Sequence, residues 1–404
     1  MAGRDPHEDN RVATPLELLF DLTFVIAVGV AAAQFAHTLV AGHPGAALAG
    51  FGVATFAVCW AWINFSWFAS AYDTDDWVYR LTTMLQMVGV IILALGIPPM
   101  FASIEHGEHV DNRVVVAGYI VMRIAMVCQW LRAARQDPAR RRACLTYAAM
   151  ITIAQIGWVA ALVVHTSVPT TLLVFVALMC VEMFGPYLAE NFCGGTPWHA
   201  HHIAERYSLF AIIALGEGVV GTVASLSAIV TEQGWSMDAA LVVVAGIGLT
   251  FGMWWVYFVV PAAPILHVHR ERSFWFGYGH MAVIGAIVAT GAGLHVAGNY
   301  IEHQSTLDST QTVLALAIPV GAYLALIFAL YSYMVRNIDT FHILLAGLSA
   351  ATLLAAVWLA SAGVDMALCL LVVTLAPIVV VIGFELVGHR HAEKAIRTAT
   401  TGEL

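Results

Sequence analysis

Charge is the commodity this sequence has least of. Asp, Glu, Lys and Arg make up 11% of its 404 residues, against roughly 25% in soluble domains. Hydrophobic residues reach 60%, so a soluble chain of this length would lack the polar surface to stay dissolved. The formal net charge of −9 is no acidic-surface signal, because the charges collect in short clusters between apolar runs. Basic residues are dense only at Arg132 to Arg142, beside an apolar run, which suits a topology determinant and excludes nucleic-acid binding. The six cysteines include no CxxC pair, which excludes a zinc knuckle or a disulfide framework. A phosphate-cradling glycine loop is also absent, excluding a single-chain ATP-driven pump. Met1 to Thr14 is polar and mixed in charge, so no cleavable signal peptide is expected and the first apolar helix directs insertion.

Long apolar runs fill the remainder. A hydrocarbon core about 30 Å thick needs about 20 apolar residues per helix. That ruler predicts spans near 15–36, 48–70, 78–98, 112–132, 143–165 and 169–189. A second set follows near 204–229, 237–260, 274–298, 310–334, 340–361 and 365–388. Breaks are expected at His43-Pro44-Gly45, Asp73-Thr74-Asp75-Asp76, Pro98-Pro99, Gln136-Asp137-Pro138 and Gly194-Gly195-Thr196-Pro197, where turn residues or charges gather. The fold class predicted is an all-α integral membrane protein of about twelve transmembrane helices.

Orientation follows from Lys and Arg. With the N-terminus inside, fifteen of the seventeen basic residues fall on cytoplasmic segments; Arg113 lies at an outer span edge and Arg123 within a span. The halves also resemble each other at offsets of roughly 190 residues. Leu16-Glu17 and Ala204-Glu205 each open an outward helix, Trp60 and Trp62 match Trp254 and Trp255, and Gln86-Met87 matches His280-Met281. The expected organisation is a cytoplasmic segment 1–14, a first six-helix repeat 15–190, a cytoplasmic linker 191–203, a second parallel repeat 204–388 and a cytoplasmic tail 389–404. The expected location is the plasma membrane, both termini inside.

Ionisable groups within spans are costly, about 2.5–3.5 kcal/mol at a helix centre, and are functional candidates. Glu17 and Asp21 lie one turn apart on one face of the first helix. Glu205 and Arg206 stand at the mouth of the seventh, with Glu217 deeper. Arg123 lies in the fourth span, Glu182 in the sixth and His280 in the ninth. One reading is a substrate or proton pathway between the repeats. The other is interhelical pairing, with a glutamate neutralising Arg123 and with Glu17 and Glu205 serving as helix-N-terminal carboxylates.

Asp73, Asp75 and Asp76 place three carboxylates within four residues. Such a set can hold Mg²⁺, or act as a DxDD acid with Asp75 as the proton donor to an isoprenoid, provided it stays protonated in an apolar pocket. The bland alternative is a solvated loop paired with Arg80 or with Arg270 and Arg272. Histidines gather at His199, His201 and His202, and at His267 and His269; without suitably spaced partners they read as loop residues titrating in water rather than metal ligands. The run Trp60, Trp62, Phe65, Trp67 and Phe68 suits lipid-facing packing or an apolar pocket.

These residues resemble the bacterial low-temperature-requirement A family of membrane proteins. The likeness rests on Thr14-Pro15-Leu16-Glu17-Leu18-Leu19-Phe20-Asp21-Leu22-Thr23-Phe24-Val25, on Tyr72-Asp73-Thr74-Asp75-Asp76 through Arg80, on His202-Ile203-Ala204-Glu205-Arg206 through Leu215-Gly216-Glu217, and on Gly279-His280. Leu19 stands where the family more often has phenylalanine. The resemblance implies a multi-pass protein with Glu17, Asp21, Asp73, Asp75, Asp76, Arg80, Glu205, Arg206 and Glu217 as signature positions; it implies no activity. Three classes therefore stand: a transporter or channel-like protein, an isoprenoid- or lipid-active membrane enzyme using Asp73, Asp75 and Asp76 with Mg²⁺, and a scaffold or sensor with polar interhelical contacts. Expected partners are the bilayer and a small-molecule, ion or lipid-like ligand, with a homo-oligomer left open and no nucleic acid.

Overall fold

A computed structural model describes residues 1–389, apart from 2, 7, 9, 10, 108, 165, 261, 338 and 339. The tail with Arg390, Lys394 and Arg397 lies outside the described residues. Among the described residues there is no strand, and thirteen α-helices follow one another. They are α1 (Pro15–Val40), α2 (Pro44–Tyr72), α3 (Trp77–His106), α4 (Arg113–Gln136), α5 (Arg141–Val163), α6 (Val168–Phe192) and α7 (Ala200–Gln233). After them come α8 (Met237–Phe258), the short α9 (Ala262–Val268), α10 (Ser273–Ile301), α11 (Ser309–Val335), α12 (Thr340–Ser361) and α13 (Met366–Gly383). Twelve segments are long and apolar enough to cross a membrane, with α8 and α9 forming one. The protein is therefore an all-helical multi-pass membrane protein.

Local chemistry sets the helix ends. The Thr14 backbone N–H donates to Glu17 Oε2 at 2.7 Å and the Glu17 N–H to Thr14 Oγ1 at 3.3 Å. This is a reciprocal capping box with Pro15 at the first helical position, where its missing N–H costs nothing. Asp76 caps α3 by accepting from Tyr79 N at 3.0 Å, and Asp308 with Gln311 boxes the start of α11. Pro98-Pro99 does not end α3, as the dipeptide suggests, because the helix continues to His106. In hydrocarbon an interrupted backbone strands polar groups that water cannot satisfy, so helix persists through proline. Termination waits for Gly107, at φ 80°, whose N–H donates to Ser103 O; left-handed backbone there favours glycine.

The helices show lipid on one side and protein on the other. Along α1, Leu18, Leu22 and Ile26 are exposed at four-residue intervals, while Glu17, Phe20, Asp21 and Phe24 are buried on the opposite face. With 3.6 residues per turn this gives an apolar stripe for acyl chains and a buried stripe for the interior.

Two compact units divide the chain: Met1–Gln34 with Gly45–Arg206, and Phe35–Pro44 with Tyr207–Leu404. The division cuts both α1 and α7. In the first unit α3 and α4 pack at glycine contacts, where a Cβ on Gly118 would lie 2.6 Å from the Gly89 carbonyl oxygen. Such close approach is how helices associate without a hydrophobic drive between them. Tyr119 of α4 then donates to the Ala57 carbonyl of α2 at 2.5 Å. In the second unit Gly293 of α10 lies against Ala315 and Leu316 of α11, and Tyr323 of α11 donates to the Met253 carbonyl of α8 at 2.6 Å.

Candidate functional site

The motif residues of α1 and α7 meet inside the first unit. Glu17 and Asp21 are four residues apart on α1, and His202 and Arg206 are four apart on α7, so each pair shares a helix face. The faces interlock as two rungs. His202 Nε2 lies 3.0 Å from Glu17 Oε1, and Arg206 Nη2 donates to Asp21 Oδ1 at 2.6 Å. Both rungs span 185 residues of sequence in the same sense, so these helix starts run parallel. All four side chains are fully buried.

Neighbours complete the lower rung. Trp62 Nε1 donates to Asp21 Oδ1 at 2.7 Å, and Arg206 Nη2 also donates to Ser66 Oγ at 3.2 Å. The guanidinium lies over the Trp62 ring, 5.6 Å from its centroid, a placement that favours a cation on the ring face. The tryptophans of α2 thus face the interior: Trp60 and Trp62 are buried, and Trp60 donates to Glu182 Oε2 at 2.8 Å.

The N-terminal segment closes the upper rung. Arg11 Nη2 lies 3.7 Å from Glu17 Oε1, 3.5 Å from Asp73 Oδ2, and 3.4 Å from the Ala69 carbonyl. Ala13 N–H donates to Glu205 Oε2 at 3.0 Å, and Arg4 N–H to the Ala71 carbonyl at 3.0 Å. Glu205 thus ties down the strap. His199 accepts the His202 N–H at Nδ1, 3.2 Å, which leaves Nε2–H to donate to the Glu8 carbonyl at 3.0 Å. Both ring nitrogens are committed to the neutral form, and burial also pushes this imidazole below its ordinary value. His199 and His202 are buried, whereas His201 is exposed. Of the three, only His201 is exposed as expected, although it lies in the first turn of α7 rather than in a loop; the other two are drawn inward by the strap and by Glu17.

Several buried atoms of this cluster lack a hydrogen-bond partner among the described residues: Asp21 Oδ2, Arg206 Nε and Nη1, Arg11 Nε, His202 Nδ1 and the Tyr79 hydroxyl. Tyr79, at the start of α3, is near enough to Asp73, Glu17, Arg206 and Arg11 to sense their charges. Buried polar groups ordinarily have partners, so these atoms are the ones a water or a ligand could satisfy. Among the buried formal charges, the carboxylates Glu17, Asp21 and Asp73 outnumber Arg11 and Arg206 by one.

Each aspartate of the Asp73–Asp76 stretch takes an arginine of its own. Asp73 turns inward to Arg11. Burial, and then Glu17, raise its carboxyl above the ordinary range. Asp75 turns outward, 54% exposed, and receives two hydrogen bonds from Arg80 at 2.8 and 2.7 Å. Those bonds hold its carboxyl below the ordinary range. Asp76 caps α3 and pairs with Arg132 of α4, which lowers its carboxyl further. The Asp75 backbone is left-handed, φ 46°, with its N–H on Asp73 Oδ1 at 2.9 Å. Among the described residues no three His, Cys, Asp or Glu side chains are grouped to hold a metal ion. An exposed carboxylate clamped by arginine is suited to remaining ionised rather than to donating a proton.

Other predicted positions form separate groups. Arg123 pairs with Glu182 of α6 at 2.9 Å, and Trp158 Nε1 reaches Glu182 Oε1 at 3.3 Å. Arg123 also borders a cavity of about 10 Å³ with Asn64, Gln86 and Tyr119, room for about one water. In the second unit Glu217 is buried where Gly291 of α10 meets the α7 backbone. His280 donates from Nδ1 to the Phe276 carbonyl at 2.6 Å, and its Nε2 lies 3.0 Å from the Tyr257 hydroxyl.

Sequence reasoning singled out Glu17, Asp21 and Arg206 but missed Arg11, His202, Tyr79, Trp62 and Ser66 as their neighbours. The signal for His202 was available: acidic residues at four-residue spacing in one motif face basic residues at the same spacing in the other. Arg11 carries no such pattern.

Comparison with known proteins agrees with these motifs. The family model described as Bacterial low temperature requirement A protein (LtrA) matches residues 12–377. An uncharacterized protein of Rhizobium meliloti (strain 1021), RA0937, is 25% identical over 307 residues, covering 72% of this chain and 70% of that protein.

Proposed function

We propose that this chain, which belongs to the bacterial low temperature requirement A family, is a membrane transport protein that couples a small solute to a proton held between Glu17 and His202. The observation that carries the reading is the fully buried Glu17–His202 contact at 3.0 Å, in a cluster whose buried carboxylates outnumber its buried arginines by one. Charges inside a membrane are costly and concentrate on ion and proton paths. A purely structural pair would satisfy its own atoms, whereas here six polar atoms of the cluster lack partners among the described residues.

Two six-helix repeats in parallel orientation fit this reading. In each half the fourth span sends a tyrosine to a carbonyl of the second, Tyr119 to Ala57 and Tyr323 to Met253. The segment before the third span is also tied to the end of the fourth in each half, by Asp76 with Arg132 and by Arg272 with the Met334 carbonyl. The basic-residue pattern supports cytoplasmic termini in the plasma membrane.

The test is purified protein in proteoliposomes with a trapped pH dye, challenged with amines, guanidines, carboxylates and sugars. At least one class should drive proton movement above that of empty vesicles, and Glu17→Gln should abolish it. Folded, inserted protein that answers none of the panel overturns the proposal.

A further inference from the structure

We propose that Glu17, Asp73 and the Ala69 carbonyl form a binding site for an organic cation bearing a guanidinium or primary ammonium group, and that Arg11 occupies it as a tethered stand-in. This names the substrate class for the transport reading and rests on it.

Three observations converge. The first is how loosely Arg11 is held. Its ion pairs measure 3.5 and 3.7 Å, whereas Arg206–Asp21 measures 2.6 Å and Arg123–Glu182 2.9 Å. Charge-assisted hydrogen bonds normally lie at about 2.7–2.9 Å, so the latter two are clamps and the former is a longer, looser pairing. Among the described residues its hydrogen bonds go to two carbonyls, that of the neighbouring Val12 at 2.9 Å and that of Ala69 at 3.4 Å. Unlike the other two arginines, Arg11 comes from the strap that precedes α1, where displacement disrupts no helix.

The second is the chemistry of the lining. Glu17, Asp73 and the Ala69 carbonyl offer acceptors only, and the buried Tyr79 hydroxyl, near enough to sense Asp73 and Glu17, has no hydrogen-bond partner among the described residues. Such a lining suits a donor-rich cation. An anion would meet two carboxylates. Within the cluster Arg11 Nε and His202 Nδ1 are likewise unpartnered and more than nine-tenths buried.

The third is charge. Removing Arg11 leaves Glu17, Asp21 and Asp73 against Arg206 alone. A monovalent cation that replaces Arg11 restores the original balance, so exchange moves no net charge into the buried cluster.

A tethered occupant competes at an effective concentration in the millimolar range. Removing it should therefore tighten binding of a free cation about tenfold or more. The full-length protein in detergent is titrated with methylguanidinium or ethylammonium chloride against sodium and potassium chloride at equal ionic strength, with thermal midpoint as readout. Arg11→Ala should be stabilised by the nitrogen cations at about tenfold lower concentration than the wild type, and Arg11→Ala/Asp73→Asn should not be. In the wild type, displacement exposes the strap, so trypsin cleavage after Arg11 should accelerate several-fold with methylguanidinium but not with salt. If Arg11→Ala does not fold, the trypsin arm alone decides. Equal responses to all four chlorides, or potassium acting alone, overturn the proposal, as does strap cleavage indifferent to the nitrogen cations. Binding without flux leaves this site standing and removes transport; flux without binding does the reverse.

Discussion

Removing Glu182 should cost this protein more than removing its partner Arg123. The pair is 2.9 Å apart and both side chains are buried. Glu182→Gln leaves a buried guanidinium that cannot shed its proton, beside a cavity of about 10 Å³ whose lining holds no carboxylate. Breaking a buried pair in this way costs about 3–5 kcal/mol. Arg123→Gln leaves a carboxyl that can take up a proton and still accept from Trp60 and Trp158. Its cost is then mainly a lost charged hydrogen bond, about 1.5–3 kcal/mol. Exchanging both for apolar residues, Arg123→Met with Glu182→Leu, should recover much of the loss. Unfolding in mixed detergent–dodecyl sulfate micelles, followed by tryptophan fluorescence, gives the four corners of the cycle. Single variants that each cost under about 1 kcal/mol, or an arginine variant worse than the glutamate variant, would refute the argument that Arg123 is a buried charge dependent on Glu182.

Gly118→Val should impair folding through the α3–α4 contact, since even a Cβ there lies 2.6 Å from the Gly89 carbonyl oxygen; thermal midpoint and yield check this, and Gly118→Ala should cost about 1–3 kcal/mol. Tyr119→Phe and Tyr323→Phe each delete one interhelical hydrogen bond and should cost about 1 kcal/mol each by unfolding in mixed micelles. The Asp76 carboxyl is depressed by Arg132, so its stabilising contribution is present above the ordinary carboxylate range and lost as pH falls through the depressed value. The stability gap between wild type and Asp76→Asn should therefore shrink as pH drops below about 4. Cysteines placed at Gly234 and His303 should react with an impermeant reagent in intact cells and one at Asp137 should not; the opposite pattern would reverse the proposed orientation.

The helices were legible because hydrocarbon imposes its own ruler: twenty apolar residues with turn chemistry between them locate spans whatever they pack against. Pro98-Pro99 misled because proline signals a stop in water, where the freed backbone groups are solvated, while in lipid the helix continues to Gly107. The charges were half legible. That Arg123 needed a counter-ion followed from its depth alone, and Glu182 supplies it. Glu17 and Asp21 declared themselves as ionisable groups at spacing four on an apolar helix. Of their partners, Arg206 was visible as a charge at the mouth of the seventh helix, but His202 was not, because a histidine beside Gly-Gly-Thr-Pro looks like a loop residue until the strap and α1 cover it. Arg11 was the least visible: as one basic residue in a polar leader it served only to orient the chain. The three aspartates read as one cluster in sequence, yet a left-handed turn at Asp75 sends them to three different arginines.

The most direct test of the central claim is the current evoked by a solute jump on a supported membrane carrying the protein, recorded from pH 5.5 to 8.5. The wild type should give a current that depends on pH, Glu17→Gln and His202→Gln should abolish or flatten that dependence, and Tyr323→Phe, which touches neither group, should retain it. A pH profile in Glu17→Gln identical to that of the wild type would contradict the account.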